Sequence, residues 1–470
     1  MIMEKKSAYA WGLLTQLGPT ALTLITTMIL TRILTPSDYG MIGVLTIFFT
    51  MANVLIDSGL CGSLINERNI SKIDCSTIAA FNLAIGITIY GAMFLFAPYL
   101  EEYYNSEGLC KLTRFVSIIF VIYPLGLVPK ALLSKRVDFK KQFVISITSN
   151  ILSSIVAISL AYSGYGVYSL ACMQVTSAFM SMLLSCFLCK YVPQFSFSYA
   201  HFKKLIPFGA YTTFSSVIDS IYENLLLSLA GKYISISQTG YIRQAKNAET
   251  MMSSALATTI SNVSFPILVK YQGDNQKFRV EANNIFRTIL LFILPLLALA
   301  SVYSKQIILI LYGAKWIETV YYLQILLIAG IFMVMETLIR CFIKSSGQVD
   351  RLFRITIIKR LVGIGLLVVT ALYNPSQLVV VYTACTLFAF ICNVYVYAKI
   401  INTSILKLLM YYTKLIMPTV IILLLGHTLR IYDIHFVIMT MVIGCVVLVY
   451  YFKLFRIFSI NIISMIKNKL

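Results

Sequence analysis

The sequence predicts an all-α fold, that of a polytopic membrane protein with about fourteen transmembrane helices. Three observations predict it. Of the 470 residues, 59% are hydrophobic and only 12% are charged, and the mean hydropathy is +0.85. Apolar runs of roughly 20 residues, long enough for a helix to cross about 30 Å of hydrocarbon, recur along the whole chain. Two ten-residue stretches also match each other at an offset of 200 residues.

The apolar runs are separated by gaps too short to hold a folded soluble domain. The predicted spans are about 8–31, 38–65, 76–98, 113–133, 143–163, 167–189, 207–231, 238–266, 285–304, 322–344, 355–372, 377–398, 411–428 and 435–453. Span boundaries drawn from sequence are uncertain by several residues, so a count of about twelve or thirteen stays open.

The internal repeat joins Ile33–Ile42 to Tyr233–Ile242. Each copy follows one helix-length apolar run and opens another. Three identical pairs align without a gap, namely Ser37 with Ser237, Gly40 with Gly240, and Ile42 with Ile242. Repeats of this kind build many secondary transporters, in which the substrate path runs between two halves.

The basic residues indicate the orientation in the membrane. The net charge is +20, and with both termini in the cytoplasm most of the 38 Lys and Arg residues fall on inner segments, whereas acidic residues show no such bias. We therefore predict a multi-pass protein of the cell (inner or plasma) membrane, in contact with anionic lipid headgroups of the bilayer. Nucleic acid is not an expected partner, because interleaved basic and aromatic faces are missing.

The sequence lacks the short motifs that indicate nucleotide binding, metal binding or catalysis. It contains no P-loop, no Gly-rich dinucleotide turn and no His-rich metal motif, and its only histidines are far apart at His201, His427 and His435. The short outer loops leave no room for the catalytic groups of a membrane polymerase or ligase. We therefore predict a transporter with no catalytic residue, no metal and no cofactor, apart from a coupling ion such as H⁺ or Na⁺.

Acidic residues inside the predicted spans are candidates for ion coupling, because a charge in the bilayer is costly and usually faces a cavity or a partner. Asp219 lies near the midpoint of the seventh span, and Glu223 is one turn further along the same face. Two carboxylates so placed resist simultaneous ionisation, which suits a proton-coupled or ion-coupled transporter. The alternative is that neighbouring Lys or Arg residues satisfy them and lock helix packing.

Three further charges have structural interpretations. Glu336 and Arg340 are four residues apart on one predicted helix, so an ion pair within that helix is expected. Asp57 precedes Ser58-Gly59 near the end of the second span, where a packing or hinge role is as reasonable as contact with substrate.

Cations at the two copies of the repeat predict an anion site. Arg243 and Lys246 are three residues apart on one face in the first turns of the eighth span, and Arg32 lies at the corresponding loop of the first copy. Cations near a helix N-terminus suit phosphate oxygens. The alternative is that these side chains extend toward lipid headgroups.

Five segments together carry a family resemblance. They are Thr31–Gly40 (TRILTPSDYG), Asp57–Leu60, Leu64–Ile65, the basic turn Lys135–Phe139, and Gly240–Ala245 in the second half. In order and spacing they closely resemble the polysaccharide-transport flippase family of O-antigen, capsule and teichuronic-acid type. That family belongs to the multidrug/oligosaccharidyl-lipid/polysaccharide exporter superfamily.

The resemblance implies two pseudo-symmetric six-helix lobes, at about 1–200 and 201–405, with two additional C-terminal helices in 406–470 and a V-shaped cavity. It also implies movement of an undecaprenyl-diphosphate-linked oligosaccharide to the outer leaflet, alongside other polysaccharide-assembly membrane proteins. The last four spans match the family in hydropathy alone.

The polar residues inside the spans fit such a substrate. Arg32, Arg243 and Lys246 are the expected diphosphate ligands. Side-chain amides are available for the sugar at Asn53, Asn82, Asn150, Gln174 and Asn262. Three alternatives stay open. They are an ion-coupled multidrug or small-molecule antiporter of the same fold, a membrane glycan polymerase or ligase in a different class, and a structural partner of the glycan machinery that does not transport.

Overall fold

The structure, a computed structural model, describes residues 2–66, 70–431 and 444; at some helical positions, Asn262 among them, it describes the backbone but not the side chain. Every regular element in the described residues is helical, so the predicted all-α class is confirmed. The predicted span at about 435–453 lies outside the described residues, apart from residue 444. Of the predicted C-terminal segment 406–470, the structure describes 406–431 and residue 444.

The described residues form α-helices joined by short connections. In chain order these are α1 (Ile2–Ile33), α2 (Pro36–Asp57), α3 (Leu60–Asn66), α4 (Lys72–Tyr104), α5 (Leu109–Val116), α6 (Ile119–Lys135), α7 (Phe139–Tyr162), α8 (Val167–Cys189), α9 (Tyr199–Tyr233), α10 (Ile236–Val269), α11 (Asn275–Val302), α12 (Ser304–Leu311), α13 (Thr319–Ser345), α14 (Val349–Tyr373), α15 (Leu378–Ile400) and α16 (Ile405–Ile431). Single turns of 3₁₀-helix lie at Ala314–Trp316 and Pro375–Gln377.

Ten segments of the described residues are long and apolar enough to cross a membrane, by length and composition. They match the second to sixth and the ninth to thirteenth predicted spans. The first, seventh and eighth predicted spans coincide with α1, α9 and α10, which are helices but are not among the ten. A total of fourteen stays a prediction.

One of the ten spans is broken near its end. The segment Pro36–Ile65 consists of α2 and α3, separated by Ser58 and Gly59. Both residues have left-handed backbone angles, with φ of 48° and 63°. Because a left-handed residue ends the α-helical hydrogen-bond ladder, the chain turns at this point, next to Asp57.

The chain divides into two compact units. Unit 1 comprises the described residues up to Met251, with Ile308–Tyr322 and Phe353–Cys385; unit 2 comprises Met252–Ile307, Leu323–Leu352 and the described residues from Thr386 onward. These units are defined by contact density, so the predicted lobes at 1–200 and 201–405 stay a prediction.

Each unit has its own helix packing. In unit 1, α1 packs on α7, α7 on α8, α8 on α6 and α6 on α4, while α2 packs along α9. In unit 2, α11 packs on α16, where Ala298, Val302 and Ile422 form a buried apolar cluster. The ring of Phe286 on α11 is 4.5 Å from that of Tyr412 on α16, measured between centroids.

The two copies of the repeat begin helices α2 and α10 at equivalent positions, Pro36 and Ile236. Thr35 and Asp38 form a capping box, in which the Thr35 hydroxyl accepts from the Asp38 N–H and the Asp38 carboxylate accepts from the Thr35 N–H. At the second copy the Ser235 hydroxyl accepts from the Gln238 N–H, at 3.1 Å. The helix start that the sequence predicts at Pro36 is therefore present at both copies.

These two helices approach each other through their glycines. A Cβ placed on Gly40 would lie 1.8 Å from the Ile236 carbonyl oxygen, and one on Gly240 would lie 1.9 Å from the Pro36 carbonyl oxygen. The two contacts are reciprocal, because residues 36 and 236 are equivalent in the repeat. Glycine is required at both positions, since any larger residue would meet main-chain atoms.

The α2 helix also approaches α9 closely. A Cβ on Gly231, in α9, would lie 2.1 Å from Cγ1 of Val44 in α2. Here the obstacle is a side chain rather than the main chain. Val44 is fully buried at this contact.

Trp316 contacts both copies of the repeat near the starts of α2 and α10. It is fully buried, and its indole N–H donates to the Thr31 carbonyl oxygen at 2.9 Å. Its ring makes edge contacts with Tyr39 of the first copy and Tyr241 of the second, at centroid distances of 5.3 and 5.8 Å. The ammonium of Lys315 donates to further carbonyl oxygens at the end of α1.

We predict that Gly240→Ala destabilises the protein because its methyl group would overlap the Pro36 carbonyl. Overpacking of this kind costs about 1–3 kcal/mol, and relief here would require a backbone shift. The measurement is the midpoint of thermal unfolding of the purified protein in detergent, followed by size-exclusion chromatography after heating.

The control is Gly91→Ala in α4, where no atom lies within 4 Å of the added Cβ. Its stability is expected to be unchanged or to rise by up to about 1 kcal/mol, because Ala favours helix over Gly. Equal midpoints for the Gly240→Ala and Gly91→Ala proteins would contradict the close crossing.

Candidate functional site

A cavity of about 520 Å³ lies within unit 1, and we call it the cationic cavity. Helices α1, α2, α8, α9 and α10 provide most of its wall. The charged and amide side chains that line it are Gln174, Asn224, Arg243, Lys246 and Asn247, and threonine and tyrosine hydroxyls provide much of the rest. Among the described lining residues there is no Asp or Glu. The predicted residues Arg243, Lys246 and Gln174 all line this cavity, and their binding of substrate stays a prediction.

Arg243 is the cavity's isolated charge. Its guanidinium donates to the Thr46 hydroxyl at 3.4 Å. Within the described residues no carboxylate lies within ion-pair distance of it. The backbone of α2 lies close, because a Cβ on Gly43 would be 3.6 Å from the Arg243 Cδ.

Lys246 has nearby partners. Its ammonium donates to the Glu223 carbonyl oxygen and lies 5.5 Å from the centre of the Tyr382 ring. The carboxylates of Glu223 and Glu249 act on it electrostatically. Lys246 therefore contributes less uncompensated charge to the cationic cavity than Arg243 does.

A second cavity of about 350 Å³, the polar cavity, adjoins the first. The two share wall residues of α1 and α8, which are Thr23, Thr27, Met173 and Gln174. The polar cavity is lined by the predicted amides Asn53, Asn150 and Gln174, by several Ser and Thr hydroxyls, and by Lys130. In the described residues Gln174 makes no hydrogen bond, so its amide is available to bind a ligand in either the cationic or the polar cavity.

A third cavity, also of about 350 Å³, is lined by Asp57 and shares Asn53 and Tyr123 with the polar cavity. One carboxylate oxygen of Asp57 and the amide oxygen of Asn53 are buried without a hydrogen-bond partner in the described part of the chain. Asp57 thus lies both at the break between α2 and α3 and at a cavity wall. The two roles considered from sequence, a packing or hinge role and contact with substrate, both stay predictions.

Asp219 is held by a cation. Its carboxylate accepts a hydrogen bond from Nε of Arg360 on α14 at 2.7 Å, and Arg360 lies 4.3 Å from the centre of the Tyr222 ring. The Tyr222 ring is stacked on that of Tyr382 at 5.9 Å. This is the arrangement expected of the structural alternative for Asp219. The Glu223 side chain is exposed, one turn along α9.

The other predicted residues lie elsewhere. Arg32 is exposed, donates to the Ile310 carbonyl oxygen at 3.4 Å, and is not among the residues that line the cationic cavity. Glu336 is buried in unit 2 and accepts from the Asn393 side chain at 3.3 Å, so its described contact is on α15 rather than with Arg340. Asn82 is fully buried with no partner for its amide among the described residues. The Asn262 side chain lies outside the described residues.

Sequence reasoning missed three cavity residues. Lys130 lies within α6, and its local sequence does not distinguish it from the basic residues of the inner segments. Asn224 and Asn247 are the others, and both line the cationic cavity. Asn224 is five residues after Asp219 and Asn247 is adjacent to Lys246, so their proximity to predicted site residues was the available signal.

Known proteins resemble this chain in sequence and in fold. The profile of the family described as "Polysaccharide biosynthesis protein" matches residues 29–321. The lipopolysaccharide biosynthesis protein WzxC of Escherichia coli (strain K12) is 25% identical over 366 residues, covering 77% of this chain and 74% of that protein. The succinoglycan biosynthesis transport protein ExoT of Rhizobium meliloti (strain 1021) is 24% identical over 357 residues, covering 76% and 72%.

Among solved structures, the lipid II flippase MurJ superposes with a TM-score of 0.74 at 16% sequence identity. The match covers 94% of this chain and 98% of that chain. At this identity the likeness concerns the fold. The helical arrangement of the chain is therefore one already seen in a membrane transporter.

We predict that Asp219→Asn lowers the free energy of unfolding, because the buried guanidinium of Arg360 loses its charged partner. A hydrogen bond to a charged group is worth about 1.5–3 kcal/mol, and the loss is expected in that range. Adding Arg360→Gln to Asp219→Asn is expected to recover part of the loss, as coupled residues do. Thermal unfolding in detergent measures both effects.

Asp274→Asn is the matched control. Asp274 is the N-cap of α11, its side chain is exposed, and Asn caps a helix about as well as Asp. If Asp219→Asn is no less stable than Asp274→Asn, the Arg360 pair does not support the packing of α9 and α14.

Proposed function

Because the chain belongs to the polysaccharide biosynthesis protein family, we propose that it is a membrane flippase for a lipid-linked oligosaccharide. The substrate is an undecaprenyl-diphosphate-linked oligosaccharide, moved to the outer leaflet for assembly of a cell-surface polysaccharide such as O-antigen or capsule. The observation that carries the proposal is the cationic cavity, in which Arg243 has no described ion-pair partner and no described acid lines the wall. As a flippase the protein breaks and forms no covalent bond.

The diphosphate fits the charge of the cationic cavity. A cation without a partner in a membrane protein is costly, and an anionic substrate group offsets that cost each time it binds. The planar guanidinium of Arg243 presents parallel N–H donors that match two phosphate oxygens. Lys246, on the same face of α10, adds a second cation, an ammonium donor.

The sugar fits the adjoining polar cavity. Most of the residues that line it carry a hydroxyl or an amide group, among them Asn53, Asn150 and the unpartnered Gln174. Sugar hydroxyls both donate and accept hydrogen bonds, as do amide side chains. A diphosphate at Arg243 would therefore place the first sugars beside groups that replace their hydration.

Transport is proposed to proceed by alternating access of two lobes related by the repeat. The 200-residue offset between the helix starts at Pro36 and Ile236 supports this division. The excess of basic residues on alternate connections supports both termini in the cytoplasm and a location in the cell membrane. Other polysaccharide-assembly membrane proteins are the natural partners of such a transporter.

A multidrug or small-molecule antiporter of the same fold is the main alternative, and a glycan polymerase or ligase is the other. Reconstituted vesicles distinguish all three. A flippase moves a fluorescent undecaprenyl-diphosphate disaccharide into the leaflet that an impermeant reductant reaches. An antiporter instead moves a soluble organic cation and leaves the lipid-linked sugar in place, whereas a polymerase or ligase lengthens or transfers the glycan.

We predict that Arg243→Ala reduces flipping of that disaccharide at least about tenfold, because a charge-assisted contact with phosphate is lost. Arg243→Lys is expected to retain part of the activity, since it keeps the charge but not the paired donors. Initial rates in proteoliposomes with equal protein content measure the effect.

The control is Arg114→Ala. Arg114 lies over the ring of Phe94 at 4.3 Å and lines none of the three cavities. The flipping rate of Arg32→Ala is measured in the same assay, to test the third diphosphate ligand predicted from sequence. Wild-type rates for a correctly inserted Arg243→Ala protein would refute the proposed diphosphate site.

Coupling to H⁺ or Na⁺ through Asp219 and Glu223 is proposed as the energy source. Under this proposal, an imposed H⁺ or Na⁺ gradient raises the initial flipping rate, and Glu223→Gln abolishes that stimulation while leaving gradient-free flipping. Glu223 is the sharper variant because its side chain is exposed, so its loss does not remove the Asp219–Arg360 pair. Stimulation that survives in both Glu223→Gln and Asp219→Asn would exclude these carboxylates.

A further inference from the structure

The proposed function leaves Lys130 of the polar cavity without a role. Lys130 lies on α6 five residues before its last residue, Lys135, which places it about 7.5 Å inside the helix end. Its side chain is half-buried and lines the polar cavity together with Tyr123 and Asn150. It is a cation held inside the bundle rather than at the end of the helix.

Lys130 has no anionic partner within the described residues. Its ammonium lies 6.0 Å from the centre of the Tyr123 ring, which is the limit of a cation–π contact. No described carboxylate is within ion-pair distance, and no described Asp or Glu lines the polar cavity. Asp57 lines the third cavity, on the other side of the shared residues Tyr123 and Asn53. No described group therefore balances the charge of Lys130, and an anionic occupant of the polar cavity would do so.

The surroundings of Lys130 differ from those of Arg243. Around Arg243 a second cation, Lys246, is present, as a diphosphate with several charged oxygens requires. Around Lys130 the other polar groups are neutral, consisting of serine and threonine hydroxyls and the amides of Asn150 and Gln174. A single compact ammonium among neutral hydrogen-bonding groups matches one carboxylate on an otherwise uncharged, hydroxyl-rich molecule.

We propose that Lys130 binds the carboxylate of an acidic sugar, so that the preferred oligosaccharide of this flippase contains a uronic acid or a similarly carboxylated residue. The inference rests on the proposed function, because it takes the diphosphate to be held at Arg243. The cationic and polar cavities share Thr23, Thr27 and Gln174, so one substrate can occupy both. The chain thus recognises two separate charges on its substrate.

The experiment compares two synthetic probes in proteoliposomes that contain the full-length protein. Both are undecaprenyl-diphosphate disaccharides with the same fluorescent tag, and they differ only in that the second sugar is glucuronic acid in one and glucose in the other. The readout is the ratio of their initial flipping rates. For the wild-type protein we expect this ratio to favour the acidic probe by about tenfold, the effect of one charge-assisted hydrogen bond.

Two substitutions at position 130 isolate the charge. Lys130→Gln is expected to bring the ratio close to one while the neutral probe is still flipped, and Lys130→Arg is expected to keep the preference. Lys135→Gln is the matched control, because Lys135 is on the same helix, contacts the Leu64 carbonyl oxygen and lines neither cavity. Its ratio is expected to equal that of the wild type.

Other outcomes overturn the proposal in different ways. Equal wild-type rates for the two probes overturn it whether or not any variant folds. A Lys130→Gln protein that keeps the wild-type ratio shows that another residue selects the acid. Equal loss of both probes in Lys130→Gln, with recovery in Lys130→Arg, assigns Lys130 to the diphosphate instead. If wild-type protein flips neither probe, the proposed function itself fails.

Discussion

The reciprocal contact of α2 and α10 is the constraint on which unit 1 depends. Each helix presents a glycine to the first carbonyl of the other, Gly40 to Ile236 and Gly240 to Pro36. In a membrane protein, helices associate through close packing and hydrogen bonding rather than through exclusion of water, so such an approach contributes directly to stability. The same contact fixes the direction of the α10 axis relative to α2. One turn beyond Gly240, that direction brings Arg243 to the cationic cavity.

Charges inside unit 1 fall into two groups with different physical consequences. Asp219 and Arg360 neutralise each other, and the aromatic face of Tyr222 covers the guanidinium, so this pair joins helices at a modest net cost. Arg243 and Lys130 have no such partner in the described structure and line cavities instead. An unpaired cation in this setting raises the free energy of the empty protein, which an anionic substrate lowers on binding. The first group therefore joins helices of the fold, and we propose that the second group selects the substrate.

The sequence was sufficient for the fold class and for part of the site. Hydropathy gives most of the spans, and Arg243 and Gln174 could be found because polar side chains within apolar runs are conspicuous. The partner of Asp219 could not be found in this way, because Arg360 is 141 residues away and pairing across such a distance depends on tertiary packing. Lys130 was missed for a different reason. Near the end of a span, an ammonium that faces a cavity and one that faces the cytoplasm have the same local sequence.

The glycine contacts have a consequence for how mutations compensate one another. At Gly231 the neighbouring atom belongs to the Val44 side chain, so a smaller residue at position 44 would make room for a substitution at 231. At Gly40 the neighbouring atom is a carbonyl oxygen, which every amino acid at position 236 also has. No second-site suppressor at position 236 is therefore available to a Gly40 variant. In a genetic selection, position 231 would yield partner mutations at Val44 in α2, whereas position 40 would yield none at position 236.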